Sequence, residues 1–250
     1  MKKAALIALI PAEVILLFLL NYFISNVVDK KIVQPFIIPN LRGISPNITS
    51  LIFSGLISAF IAFIIVTLLG VVIKRPIKDL GYNAKNFKFS IKADLMFLTV
   101  FMVLYVFVGT LAEIYNVYHY TFPFSISTPN FITFLLFELL ISGFEEIYFR
   151  CFVITFLLIV WRPIFKSQKT LEIAAVMASA FIFVLGHIGM TFAPFTITYL
   201  VPLQLLVVAV MGLYFGYIFI KTGSLLGSYL AHGISNFLIM IFFFVLNIVL

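Results

Sequence analysis

The stretch GFEEIYFR, Gly143 to Arg150, places three charged side chains inside a run that reads FITFLLFELLIS before it and CFVITFLLIVW after it. A charge near the centre of a membrane helix is costly, so such residues pair with one another or face an interior cavity. Glu146 and Arg150 are four apart, which on a helix makes them neighbours on one face and a natural ion pair. Glu145 lies about 100° further round the helix and has no such partner. Two more polar groups interrupt apolar runs downstream: His187, closing FVLGH one turn after Phe183, and His232 with Asn236, four apart in HGISN. If their helices pack around one cavity, the set can activate water beside a carbonyl. A carboxylate with no cation to neutralise it is a usable general base. An imidazole can share the water or hand on its proton, and a second imidazole with an amide can donate to the oxyanion that water addition creates. The bland alternatives stay open: a structural ion pair for Glu146 and Arg150, and interhelical hydrogen bonds for the histidines. Glu138, seven residues before Glu145, is given no leading role. Glu13, Glu113 and His119 fall near span ends or in loops, and the GLYFG pattern of Gly212 to Gly216 reads as a close helix approach.

The elements that must position these groups follow from composition. The chain is 64% hydrophobic and 10% charged, against about 25% charged in soluble domains, so it is expected to be an integral membrane protein in contact with lipid. The formal charge of +7 would suggest a nucleic-acid partner in a soluble domain, but here the cations sit between apolar spans, which reads as topology and not as nucleic-acid binding. A single cysteine, Cys151, excludes an intrachain disulfide.

At about 20 apolar residues per crossing, the sequence predicts an all-α transmembrane bundle of about seven spans. They fall near 4–28, 50–73, 95–113, 131–160, 171–190, 199–220 and 224–250. The fourth is too long for one perpendicular crossing, and would make eight spans if it breaks and turns back. The opening MKKAALIALIPAEVILLFLL carries no small-residue cleavage site and reads as the first span. The segment from Lys74 to Asp94 holds six Lys or Arg, whereas EIYNVYHYTFPFSISTPN and TFAPFTIT hold none. With Lys2 and Lys3, this predicts a cytoplasmic N-terminus and an outside C-terminus. Lys30, Lys31 and Arg42, in the first outside loop, run against the rule. Counting about 1.5 Å per residue, the candidate groups meet only if one helix starts late or breaks, and the site is then expected to open on the cytoplasmic side.

An EExxxR motif (EEIYFR, Glu145 to Arg150), then FxxxH (Phe183 to His187), then HxxxN (His232 to Asn236), in that order on successive apolar spans, resembles the CPBP intramembrane metalloprotease-like family. That family includes CAAX prenyl endopeptidases and Abi-type bacterial membrane proteins. The resemblance covers about residues 131–240. It implies variable N-terminal helices over 1–130 and a catalytic helical core over 131–250. It also implies an intramembrane glutamate-dependent endopeptidase that cuts a membrane-associated peptide or protein by activated water. In that scheme Glu145 activates the water with His187, His232 and Asn236 form the oxyanion site, and Glu146 and Arg150 support the centre. Cys151 stands where many members carry glycine, a difference that touches packing. A bacterial or archaeal plasma membrane is the expected location. The alternative is a non-proteolytic membrane factor, such as a bacteriocin immunity or scaffold protein. No cofactor is expected: two glutamates and two histidines could hold Zn²⁺ with an open position, but no HExxH is present and Arg150 beside Glu146 opposes a divalent cation.

Overall fold

The computed structural model describes residues 3–41, 43–192 and 194–249. Lys2, Arg42 and the side chain of Lys3, which entered the orientation reading, lie outside the described residues. The architecture is a bundle of helices: α1 (Lys3–Val28), α2 (Pro46–Val72), α3 (Phe87–Ile114), α4 (Thr128–Leu140), α5 (Thr155–Val160), α6 (Gln168–Gly186), α7 (Pro202–Thr222) and α8 (Leu225–Val249). Prolines stand in the first turn of α2, α4 and α7, where their missing N–H is no loss.

Among the described residues six helical segments are long and apolar enough to cross a membrane. The fourth apolar run is discontinuous. α4 stops at Leu140, a 3-10 turn follows at Ser142–Phe144, and Ile147–Ile154 winds as a π-helix before α5. Across the break the backbone stays right-handed helical at Ile141, Glu145 and Glu146. α4 begins beside the loop after α1, where Asn130 accepts from the Ser45 N–H, and α6 later returns to that same end, where the Tyr22 hydroxyl donates to the Met190 carbonyl at 3.0 Å. At the other end the 73–86 loop meets the α7–α8 turn: Asn83 Nδ2 donates to Gly223 O at 2.7 Å and the Leu225 N–H to Gly81 O at 2.8 Å.

Two departures from the sequence reading matter. α3 starts at Phe87, not near 95, because Lys88 and Lys92 can lie along a helix with their charged ends in water. The bundle also carries a two-stranded antiparallel hairpin, β1 (Gly189–Phe192) and β2 (Phe195–Tyr199), with Met190 opposite Ile197, which the all-α expectation did not contain.

One buried apolar cluster joins α1, α2, the π segment and α6, and includes Val66, Ile154, Leu157 and Leu171; a second, with Phe134, Phe215 and Phe243, joins α3, α4, α7 and α8. The outside of the bundle is equally apolar: Leu16, Phe60, Val72, Val103 and Phe181 are all more than half exposed. Surfaces of that extent need lipid. Gly212 and Gly216 let α7 approach Ala180 and Val176 of α6, the close contact expected of GLYFG.

Candidate active site

The break in the fourth span decides where its charges point. In the 3-10 and π turns around Glu145 the hundred-degree step of a regular helix is lost, and π turns of this kind recur at functional sites. Adjacent glutamates end in opposite settings: Glu145 is exposed, whereas Glu146 and Arg150 are fully buried. The hydroxyl of Tyr148 donates to Leu17 O at 2.6 Å and the indole of Trp161 to Glu13 Oε2 at 2.6 Å, so two donors tie this span to α1. Glu13, which the sequence reading set aside as ordinary, is one end of that tie.

Glu146 is the hub. Its Oε2 accepts from Arg150 Nε at 2.5 Å and its Oε1 lies 2.9 Å from His232 Nδ1. Arg150 Nη1 donates to Ser179 Oγ at 3.0 Å, and that hydroxyl donates to Phe149 O at 2.9 Å. The rings of Phe149, Phe183 and Phe215 surround the guanidinium at 6.0, 5.7 and 5.9 Å. A buried charge is costly unless paired; here a carboxylate, a hydroxyl and three π faces receive it. His232 stacks on Phe215, with centroids 5.1 Å apart.

One turn beyond, Asn236 Nδ2 donates to Glu138 Oε2 at 2.9 Å. His232 and Asn236 therefore reach the two carboxylates that flank the break. Helical spacing put Glu138 near the face of Glu145; the irregular turns put it with Asn236 and give it a direct place in the cluster. This approach of α8 requires glycine. A Cβ on Gly233 would lie 2.3 Å from Leu139 O, and one on Gly143 2.6 Å from Tyr229 O.

Glu145 faces elsewhere. With His187 it lines a cavity of about 240 Å³ whose walls include Asn21 and Ser25 of α1, Ser54 and Ser58 of α2, and Phe183. Among the described residues no hydrogen bond reaches the Glu145 carboxylate. His187 follows the last turn of α6, and its Nδ1 lies 2.9 Å from Phe183 O. A carbonyl only accepts, so Nδ1 carries a proton, and in the neutral imidazole Nε2 keeps its lone pair. Phe183 touches both imidazoles, at 4.7 Å from His187 and 5.7 Å from His232. The structure thus forms two adjoining groups, Glu145 with His187 on the cavity and Glu146, Arg150, His232, Asn236 and Glu138 packed beside it. His232 and Asn236 are not part of that cavity's wall.

The cavity's α1 residues fall in the last third of that helix and many of its α2 residues in the first half. It therefore extends from mid-bundle toward the hairpin end, away from the lysine-rich 73–86 loop. The expectation of an opening on the lysine-rich side is corrected: the break leaves Glu145 level with the end of α6, and α6 ends at the hairpin. Among the described residues no three carboxylate, imidazole or thiol groups converge as metal ligands. Both oxygens of Glu146 are already engaged by Arg150 and His232.

Residues 127–238 match the family described as Rce1-like, Type II CAAX prenyl endopeptidase Rce1-like. No curated protein and no solved structure matches the chain.

Proposed function

Because its core, residues 127–238, belongs to the CPBP/CAAX protease family, we propose that this membrane protein hydrolyses a peptide bond with a water activated by Glu145. The observation that carries the reading is the division of labour between adjacent carboxylates: Glu146 is spent on Arg150 and His232, while Glu145 shares an open cavity with His187.

A water held between the Glu145 carboxylate and His187 Nε2 loses a proton to Glu145 as its oxygen adds to the peptide carbonyl. The proton then passes to the departing amide nitrogen, so the bond breaks to a carboxylate and an amine. The oxyanion formed in between needs donors. His232 Nδ1 is engaged by Glu146 and one Asn236 amide hydrogen by Glu138, which leaves His232 Nε2 and the second amide hydrogen; because neither residue lines the Glu145 cavity, that role requires substrate to open the cavity wall toward α8. His232 serves as a donor there only when Nε2 also carries a proton. Glu146 and Arg150 hold the break in shape, and the helices of residues 1–130 contribute substrate-facing walls. The substrate class is a membrane-associated peptide or a protein segment that reaches the cavity from the hairpin end.

The test is hydrolysis in ¹⁸O-labelled water by the purified protein in lipid nanodiscs, with peptides carrying an apolar anchor. Cleavage should place one ¹⁸O in the newly formed carboxylate, and Glu145→Gln should abolish it. Products without label, or no products from any anchored peptide, would remove the reading.

A further inference from the structure

Polar side chains inside an apolar span commonly turn back onto their own helix, and several do so here. Thr67 and Thr99 donate to the carbonyls of Phe63 and Leu95, and the amides of Asn26 and Asn247 to those of Tyr22 and Phe243, each four residues earlier. Asn21 and Ser58 depart from this pattern. Among the described residues neither side chain makes a hydrogen bond, and both residues line the Glu145 cavity. On α2 that cavity is lined by Leu51, Ser54, Gly55, Ser58, Ala59 and Ala62, the spacing of a single helical face. Ser58 stands near the middle of this 27-residue helix. On α1 the lining residues are Asn21, Ile24 and Ser25, again one face. The amide nitrogen of Asn21 is turned toward α6: a Cβ on Gly186, the residue before His187, would lie 3.5 Å from it.

A peptide carbonyl is open to attack by water only where its chain has left the helix. Inside a membrane the N–H and C=O groups beside the scissile bond then lack partners, and lipid supplies none. A chain that fills a cavity of about 240 Å³ also displaces the water that would otherwise serve them. The cavity wall therefore has to offer donors and acceptors to main chain. An asparagine amide matches a peptide unit, donating to its carbonyl and accepting from its N–H, and a serine hydroxyl can do either. Other polar groups on the wall are committed. Glu145 and His187 hold the water in the hydrolytic scheme, and the hydroxyls of Ser54 and Ser142 donate to Asp29 Oδ1 at 3.1 Å and Glu138 O at 2.6 Å. That leaves Asn21 and Ser58, with Ser25 at the exposed edge.

We propose that Asn21 and Ser58 bind the main chain of the substrate beside the scissile bond, replacing the hydrogen bonds that its helix gives up. The protein then selects a segment that unwinds at the cavity more than one with particular side chains. This rests on the endopeptidase reading and deepens it, by naming the residues that hold the segment open.

The experiment measures equilibrium binding of palmitoyl-Gly-Val-Leu-Ala-Leu amide to the full chain carrying Glu145→Gln in zwitterionic nanodiscs, relative to empty nanodiscs. Three analogues replace the Gly-Val, Val-Leu or Leu-Ala peptide bond by an ester, which removes one N–H and weakens one acceptor. At least one ester should bind about 5- to 10-fold more weakly than the all-amide peptide, the scale of a single hydrogen bond. That penalty should shrink in Asn21→Leu and in Ser58→Ala, and fall to within about twofold when the two are combined, with melting temperatures showing which variants are folded. Equal binding of all four peptides, no binding of the all-amide peptide, or a penalty undiminished in both folded single variants would overturn the assignment. Binding is read without turnover. An ester penalty that depends on Asn21 and Ser58, in a protein whose parent form cleaves nothing, would keep the main-chain site while the hydrolytic reading failed. Cleavage by a parent whose Glu145→Gln form ignores the esters would do the opposite.

Discussion

His232 Nδ1 lies 2.9 Å from Glu146 Oε1 across 86 residues of sequence, and the same carboxylate holds Arg150 at 2.5 Å from its other oxygen. One fully buried glutamate thus fixes α8 against the fourth span and neutralises the guanidinium packed beside α6.

Breaking that hub from one side should be severe. Glu146→Ala leaves Arg150 buried without its carboxylate, and one-sided loss of a buried pair costs about 3 to 5 kcal/mol. Arg150→Ala should resemble it, with a large fall in melting temperature and poor accumulation in the membrane. The double replacement Glu146→Leu with Arg150→Met removes both charges and should recover much of the lost stability. Thermal unfolding in detergent measures all three.

Gly233→Ala tests the contact between α8 and the end of α4. The added carbon would sit 2.3 Å from Leu139 O, far inside contact distance, and the neighbour is backbone that cannot swing aside. The helices should separate, carrying His232 and Asn236 away from Glu146 and Glu138. Overpacking of this kind typically costs about 1 to 3 kcal/mol, and a lowered melting temperature together with reduced turnover would show it.

Loss of an oxyanion donor should appear in kcat. Asn236→Ala and His232→Ala are each expected to lower it by about 10²- to 10³-fold while substrate still binds, measured as kcat and KM on one anchored peptide. Unchanged kcat in both would restrict these residues to holding Glu138 and Glu146.

Orientation can be read by thiol labelling, because the native Cys151 is completely buried and gives a silent background. Lys85→Cys and Ser127→Cys occupy exposed positions at opposite ends of the bundle. In intact cells an impermeant maleimide should label the second and spare the first. The reverse pattern would invert the topology and place the hairpin end, with the Glu145 cavity, toward the cytoplasm.

The sequence carried the bundle and the identity of the polar cluster well, and for one reason: in an apolar chain each buried ionisable group stands out. Glu146 with Arg150, and His232 with Asn236, kept their four-residue relationships, so both pairs were legible. What regular-helix arithmetic missed lies where the helix is irregular. The 3-10 and π turns from Ser142 to Ile154 set Glu138 against Asn236 and so brought it into the cluster. Gly143, between Ser142 and Phe144, was the available sign of that break. The hairpin after His187 was similarly visible only as TFAPFTIT, a proline and β-branched residues in what reads as an uncharged loop. The walls supplied by α1 and α2, including Asn21 and Ser54, come from long-range packing that no local spacing encodes.

The central claim is that Glu145 is the base. Glu145→Gln preserves shape and hydrogen-bonding capacity but cannot take the proton of the attacking water. Measured on purified protein against one anchored peptide, with melting temperature recorded in parallel, it should leave the fold and substrate binding intact and lower turnover by about 10²- to 10⁴-fold. Cleavage near the parent rate by a folded Glu145→Gln would contradict the account, and the buried charges would then be helix-packing devices in a scaffold.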